Sequence, residues 1–444
     1  MCAIESPRQR NASIYNSHVQ ILISAGEASG EMYGAELIEA LRRVAGQKPV
    51  PTQALPLEFF GAGGECMRAA GGDIVVDAKD LAVVGITEVV SRLPKILGLY
   101  KKLIRAADDR RPALAVVIDS PAFNWRVARQ MRKRGIPVVY YVCPQFWAWR
   151  QGRVKLLRKY INKALVIFPF EEKFYRDRGV DATFVGHPLA DLPMPTVSRE
   201  DYAAQHALDP AKPWITLMPG SRRKEVRMNL PTILEAAARL GPTSEFLLPV
   251  ARTLEASFLE GLVRARFNDA FVEQDAGPQG LKPTPFAALS GTAEAVPYPR
   301  PRFHLVRDAL PALRHSRAAI VASGTATVEA ALMETPFVMV YSVSPLTYAL
   351  GKPRVKVPHF AMVNLIAGER IVPELVQKNF TAENIVAELG KILPDGGARE
   401  KMICGLKSVR ARLKKPDYAS DASANPPSAH PADRAAEIIL KMLK

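Results

Sequence analysis

Two successive doubly wound α/β domains with a cleft between them are the fold this sequence predicts. Three observations point there. Short apolar runs of strand length alternate with helical patterns almost throughout the 444 residues. The alternation stops at a Pro-rich break, Pro188–Pro195, and then restarts. Several apolar runs end at small residues that open a helix, as ligand loops do at the carboxyl edge of a parallel sheet.

Composition narrows the classes. A chain of 444 residues exceeds one ordinary core, and 48% apolar content suits a globular protein. No apolar run is long enough to span a bilayer. Residues 1–18 are polar, lack the apolar centre of a signal peptide, and are expected to be a disordered extension. Cys2, Cys66, Cys143 and Cys404 have no metal or redox spacing, which fits a reducing cytoplasm without a disulfide framework. A net charge of +16 favours nucleic acid, an anionic membrane surface or phosphorylated substrates, without choosing among them.

The first domain is expected over residues 19–195. Its strands are predicted at Val19–Ser24, Glu58–Ala62, Ala113–Asp119, Pro137–Val142, Ala164–Phe168 and Thr183–Val185, with helices such as Met32–Val44 and Phe123–Arg134 between them. The first strand runs into Ser24-Ala25-Gly26-Glu27-Ala28-Ser29-Gly30-Glu31. The glycine spacing is wrong for a dinucleotide fingerprint, and no Gly-Lys-Ser/Thr follows. A ligand loop remains, with the carboxylates of Glu27 and Glu31 beside Ser29.

Between Ile86 and Tyr100 apolar residues recur at Ile86, Val89, Val90, Leu93, Ile96, Leu97 and Tyr100, a helical spacing, with Pro94 expected to kink the helix or start a new one. Arg92, Lys95, Lys101, Lys102 and Arg105 flank the stripe. Such a face suits a membrane interface, or else a core-facing helix with a solvated basic side. Asp119 ends an apolar strand, where a carboxylate can serve as general base or as the N-cap of the next helix. Trp147 and Trp149, with Arg150, Arg153 and Lys155 behind them, suit a sugar face, a phosphate or single-stranded nucleic acid, or a core aromatic cluster under a solvated basic helix. His187 closes the last strand, as a ligand group or a structural one.

The second domain is expected over residues 196–390, with strands at Trp214–Met218, Glu245–Val250, Ala318–Val321 and Phe337–Tyr341. Pro219-Gly220-Ser221-Arg222 lies between a strand and the helix Lys224–Leu240. Gly220 admits close approach of an anion, and Arg222 can clamp phosphate oxygens. Ser323-Gly324-Thr325-Ala326-Thr327-Val328-Glu329 repeats the arrangement. Its hydroxyls and N–H groups suit a diphosphate, and Glu329 suits ribose hydroxyls. Helix capping is the simpler use of either loop alone; the two together favour a nucleotide-diphosphate donor. Asn364 and Glu369 lie in a later loop, followed by a predicted helix start at Pro373-Glu374-Leu375. Residues 275–302 look like an inserted mobile loop. The segment 391–444 is expected to be a C-terminal helix and tail, low-complexity and disordered at 415–434, with a short helix over 433–443.

Taken together, these segments resemble the lipid-A-disaccharide synthases, inverting glycosyltransferases of the GT-B fold, whose two Rossmann-like domains face a central cleft. The resemblance rests on Ala25-Gly26-Glu27-Ala28-Ser29-Gly30, Leu81–Val89, Ile118-Asp119-Ser120-Pro121, Trp147-Ala148-Trp149-Arg150, Phe184-Val185-Gly186-His187-Pro188, Pro219–Arg222 with Glu225-Val226, Ala322–Ala326 with Glu329, and Asn364-Leu365, in family order over roughly residues 19–390.

The resemblance implies transfer of 2,3-diacylglucosamine from its UDP derivative to the 6-hydroxyl of 2,3-diacylglucosamine 1-phosphate, giving a β-1,6-linked disaccharide 1-phosphate and UDP in lipid A (lipopolysaccharide) biosynthesis. It implies Asp119 as base and Arg222 as the charge-stabilising cation, without metal or cofactor. Gly220, Ser221, Arg222, Ser323, Gly324, Thr325, Thr327, Glu329 and Asn364 are implied on the UDP-sugar. Glu27, Ser29, Glu31, Trp147, Trp149, Arg150 and His187 are implied toward the acceptor. Val89, Val90, Leu93, Ile96 and Leu97 are implied to face the membrane, and the enzyme to be peripheral on the cytoplasmic face of the inner membrane. No nucleic acid partner is implied; a homodimer is compatible with the family.

Three departures stand out. Glu31 occupies a place where the family usually has Asp, Ala122 stands where a second Asp is usual, and 275–302 is extra. A UDP-N-acetylglucosamine 2-epimerase-like activity or transfer to a different lipid is the alternative enzyme; a basic binding protein for RNA or anionic lipid, without catalysis, is the alternative class.

Overall fold

The computed structural model describes residues 18–26, 28–47, 56–81, 86–191, 194–267, 301–344, 348, 355, 357–414 and 430–443. By their contacts they form two compact units. One holds the chain up to Trp147, Gln151–Pro188 and the C-terminal segment from Asp417; the other holds Ala148–Arg150 and Leu189–Pro416.

The first unit is built on a seven-stranded sheet in the order β3-β2-β1-β4-β5-β6-β7. Its strands are β1 (Val19–Ala25), β2 (Leu57–Gly63), β3 (Asp73–Asp77), β4 (Leu114–Ile118), β5 (Val138–Tyr141), β6 (Lys163–Val166) and β7 (Ala182–Phe184). Every pairing is parallel. Parallel strands covered on both faces read as unbroken apolar runs, and β4, buried at every residue, is such a run. Leu103 and Ala107 of the helix Ile86–Arg110 and Phe123, Val127 and Met131 of the helix Pro121–Lys133 pack into its core.

The helix Ile86–Arg110 continues through Pro94 rather than restarting there. Its core stripe is Ile96, Leu99, Tyr100, Leu103 and Ala107. Ile96 is therefore half-buried against the sheet, a correction to its expected membrane-facing place. Leu97, at 45% exposure, points outward. The side chains of Val89, Val90 and Leu93 lie outside the described residues.

The second unit carries a six-stranded sheet in the order β10-β9-β8-β11-β12-β13. Its strands are β8 (Trp214–Met218), β9 (Glu245–Pro249), β10 (Arg302–Val306), β11 (Ala318–Ala322), β12 (Phe337–Tyr341) and β13 (Glu374–Val376), again all parallel. The expected helix start at Pro373–Leu375 is β13 instead. The ladder of β12 pairs Met339 with Glu374, and the Met339 N–H donates to the Pro373 carbonyl at 3.0 Å. A three-residue segment has no periodicity of its own, so its partner decides. Most of 275–302 lies outside the described residues, but Arg302 opens β10.

The C-terminal segment divides. The helix Gly397–Lys414 packs on the second unit, against the helices Thr325–Leu332 and Met362–Ala367. The helix Pro431–Met442 lies along the helix Ala28–Gln47 of the first. It begins inside the stretch 415–434 expected to be disordered, a further correction. Pro at its first position, the Ala432 N–H donating to the His430 ring, and Arg434 Nε donating to the Val185 carbonyl at 2.6 Å hold it. Residues 415–429 are not among those described.

Candidate functional site

In an open parallel sheet, ligands bind beyond the carboxyl ends of the strands where the strand order reverses. Counting outward, the first sheet reverses between β1 and β4, and the second between β8 and β11. Four of the loops singled out in the sequence follow these four strands. They are the Gly26 loop after β1, Asp119 after β4, Gly220 after β8 and Ser323 after β11.

In the first unit the Gly26 and Asp119 loops touch. A Cβ on Gly26 would stand 2.3 Å from the Ser120 hydroxyl oxygen, so only glycine fits there. Asp119 and Ser120 both take left-handed backbone, at φ 45° and 46°. Two consecutive non-glycine residues there cost roughly 1–2 kcal/mol each and need surroundings that hold them. Those surroundings are present. The Asp119 N–H donates to the Tyr141 carbonyl at 3.2 Å. The Asp119 carbonyl accepts from the Tyr140 hydroxyl at 2.8 Å and from Asn124 Nδ2 at 2.9 Å. Ser120 begins the helix Pro121–Lys133 without a side-chain cap. Asp119 is partly exposed, and Ser120 rather than Asp119 holds the N-cap position of the helix.

The other acceptor-side residues divide. Glu31 accepts the Cys66 N–H at 2.7 Å, at the start of the helix Glu65–Ala69. Ser29 is exposed, and Glu27 lies outside the described residues. Trp147 is buried, edge-on to Phe170, its indole N–H donating to Glu171 at 2.8 Å. This is the core-cluster alternative. Trp149 is 46% exposed, with the Arg150 guanidinium 4.3 Å above its ring. A cation on an exposed indole is a surface that can take a sugar or a phosphate. His187 is buried against Phe168, and burial holds its pKa down at about 3, so it is neutral.

In the second unit, Gly220 has φ +131°, and a Cβ there would meet Glu225 at 2.8 Å. Glu225 organises the loop. Its carboxylate accepts from the Ser221 N–H at 3.3 Å and from Arg222 at 2.9 Å. Arg222 is exposed, so its cation is available to an incoming anion. Asn229, buried in the helix Arg223–Leu240, donates to the Pro219 carbonyl at 2.8 Å. At the second loop, the Ser323 hydroxyl donates to the Phe360 carbonyl at 3.0 Å and that of Thr327 to the Gly324 carbonyl at 2.8 Å. Those two hydroxyls shape the loop. Thr325 and Gly324 are exposed, and space beside Gly324 is open. The Glu329 carboxylate has no hydrogen-bond partner among the described residues, and burial raises its pKa. A partly buried carboxylate without a partner among the described residues, one turn into that helix, suits a pair of hydroxyl donors.

Asn364 is fully buried and internally saturated. It donates to Val372 O and Glu374, and accepts from Ile371 N and Val372 N, all at 2.9–3.0 Å. Its amide organises a turn. Glu374 also accepts the Phe360 and Ala361 N–H groups at 2.8–3.1 Å, tying this turn to the Ser323 loop. Sequence reasoning passed over Asn124, Tyr140, Glu171, Asn229 and Glu374. The signal available for Asn124 and Asn229 was a polar amide on the apolar face of a helix.

The family model described as lipid-A-disaccharide synthetase matches residues 21–274 and 300–425, leaving out most of the 275–302 insertion. The chain is 50% identical over 396 residues to a lipid-A-disaccharide synthase of Koribacter versatilis, covering 89% of this chain and 94% of that one. It is 48% identical over 402 residues to that of Acidobacterium capsulatum, covering 90% and 93%. Among solved structures it is similar to the glycotransferase of kitacinnamycin, with TM-score 0.55, 16% identity and 96% and 99% of the two chains covered. The UDP-GlcNAc 2-epimerase from Neisseria meningitidis bound to UDP-GlcNAc matches with TM-score 0.52, 10% identity and coverage of 96% and 99%. These two likenesses concern the fold, which is GT-B.

Proposed function

The chain belongs to the lipid-A-disaccharide synthase family, a glycosyltransferase family, and from that premise we propose its reaction and its parts. The enzyme transfers 2,3-diacylglucosamine from its UDP derivative to the 6-hydroxyl of 2,3-diacylglucosamine 1-phosphate. The observation that carries this reading is that four of the eight family segments fall at the points of strand reversal, two in each sheet.

Asp119 accepts the proton of the acceptor hydroxyl as its oxygen attacks the anomeric carbon. The bond from that carbon to the UDP oxygen breaks, and UDP leaves with the electron pair, inverting the centre. Negative charge grows on the diphosphate. Arg222 and the N–H groups around Gly220 and Ser323–Thr325 stabilise it. Glu329 takes the ribose hydroxyls, and Trp149 with Arg150 takes part of the acceptor.

The substrates carry acyl chains, so the enzyme works at a lipid surface. Among the described residues no helix is long and apolar enough to cross a membrane. The helix Ile86–Arg110 offers an exposed row of Leu97, Lys101 and Arg105, one turn apart, suited to the anionic cytoplasmic face of the inner membrane.

The deciding experiment is UDP release from UDP-2,3-diacylglucosamine in mixed micelles, with and without 2,3-diacylglucosamine 1-phosphate. Acceptor-dependent release with a disaccharide product is expected. Release independent of acceptor, or none at any acyl length, overturns the assignment.

A further inference from the structure

We infer that Ser24, Asn124 and Tyr140 form a lock that positions Asp119 for proton abstraction by holding its main chain in left-handed geometry. The inference rests on the reading of Asp119 as the base. The lock joins three neighbouring strands and a helix at one peptide. Asn124, on the helix Pro121–Lys133, has no exposed surface. Its Nδ2 donates to the carbonyls of Ser24 at 3.0 Å, Ile118 at 2.8 Å and Asp119 at 2.9 Å. Its Oδ1 accepts the Ser24 hydroxyl at 2.6 Å. Tyr140, on β5, donates to the same Asp119 carbonyl at 2.8 Å. Burial raises the Tyr140 pKa well above its ordinary value, so the hydroxyl stays protonated and remains a donor.

Packing alone does not explain this choice of residues. Asn124 sits on a helix face with Phe123, Val127, Ala128 and Met131, where an aliphatic side chain would fill the space. A buried amide is tolerated only when its bonds are made. Here every bond goes to the ends of β1 and β4 and to Asp119 itself. The backbone of Asp119 and Ser120 has more favourable conformations to relax into. Relaxation turns the bond from Cα to Cβ of Asp119 and so re-aims its carboxylate. The lock therefore bears on the chemical step and not on the donor, whose loops belong to the other unit.

Tyr140→Phe tests this with the least disturbance, because it removes one hydroxyl from a site that keeps its ring. The expected result is a fall in kcat of about 10- to 100-fold, as for a misplaced reacting group. KM for the UDP-sugar stays unchanged, and so does the circular dichroism spectrum. Ser24→Ala moves kcat in the same direction. In an Asp119→Ala background, read at high enzyme concentration, Tyr140→Phe produces no further loss, because nothing is left to position. Unchanged kcat in Tyr140→Phe, or the same fold-loss with and without Asp119, overturns the lock while leaving the base in place. Normal turnover in Asp119→Ala removes the base, and the lock with it.

Discussion

Glu171 receives the indole N–H of Trp147 at 2.8 Å, wholly inside the first unit. Its other carboxylate oxygen accepts the N–H groups of Ile167 and Phe168 at 3.2 and 3.1 Å. Trp147 is the last residue before the three, Ala148–Arg150, that pack with the second unit. A carboxylate thus fastens the chain just before the exposed Trp149 and Arg150.

The same carboxylate predicts a pH dependence. Burial raises its pKa to about 7 against its three hydrogen bonds. A carboxyl raised in this way contributes stability that is complete below pH about 4.5 and is lost as pH rises through about 7. His187 has the opposite sign, because burial lowers its pKa from 6.5 to about 3. Its contribution is complete above pH 6.5 and is lost on acidification. The two oppose each other between pH 4.5 and 6.5. Glu171→Gln is expected to cost about 1–3 kcal/mol at neutral pH, by setting an amide against a buried donor. Its stability should then fall more steeply than the native protein's from pH 6.5 downward. Parallel profiles in urea unfolding at several pH values would contradict the assignment.

Asp119→Ala and Arg222→Ala are each expected to lower turnover about 100- to 1,000-fold. Arg222 pairs with Glu225 at 60% and 40% side-chain exposure, and a pair so open to solvent contributes little, so its loss should leave stability nearly unchanged. Near-normal product formation in either variant takes that residue out of the mechanism.

Asn364→Ala should act on stability and leave catalysis alone. It strands the N–H groups of Ile371 and Val372, at about 1–3 kcal/mol for each buried group. Thermal unfolding should shift down while KM for the UDP-sugar holds. An unshifted midpoint with a raised KM would instead make the amide a ligand group.

Gly220→Ala forces a side chain into φ +131° and against Glu225. Relief of that clash displaces Glu225 from Ser221 and Arg222. UDP affinity, measured by calorimetry, should fall by about tenfold, the equivalent of about 1.4 kcal/mol. Unaltered affinity would show that the loop does not hold the diphosphate.

Lys101→Glu with Arg105→Glu should reduce sedimentation with anionic vesicles and leave neutral vesicles unaffected, by roughly 1 kcal/mol for each basic residue. Equal binding to both vesicle types would leave the exposed row of the helix Ile86–Arg110 without that role.

The sequence by itself determined the class of fold and where its ligand loops lie. Parallel strands buried on both faces appear as continuous apolar runs, and β1, β4 and β11 end where glycine or a short polar residue interrupts them, β8 at Pro219-Gly220. Those signals are local, so they survive without coordinates. Tertiary structure decided what the polar side chains do. β13 is a strand because β12 lies beside it, and Ile96 faces the core because the sheet lies under its helix. The sequence leaves the roles of Asn364 and Trp147 open between ligand and structural groups, and their partners, 7–24 residues away, make them structural. Asn124 meets Ser24 across 100 residues. Hydrogen bonding is short-ranged in space and indifferent to separation along the chain, so only the folded chain assigns its partners.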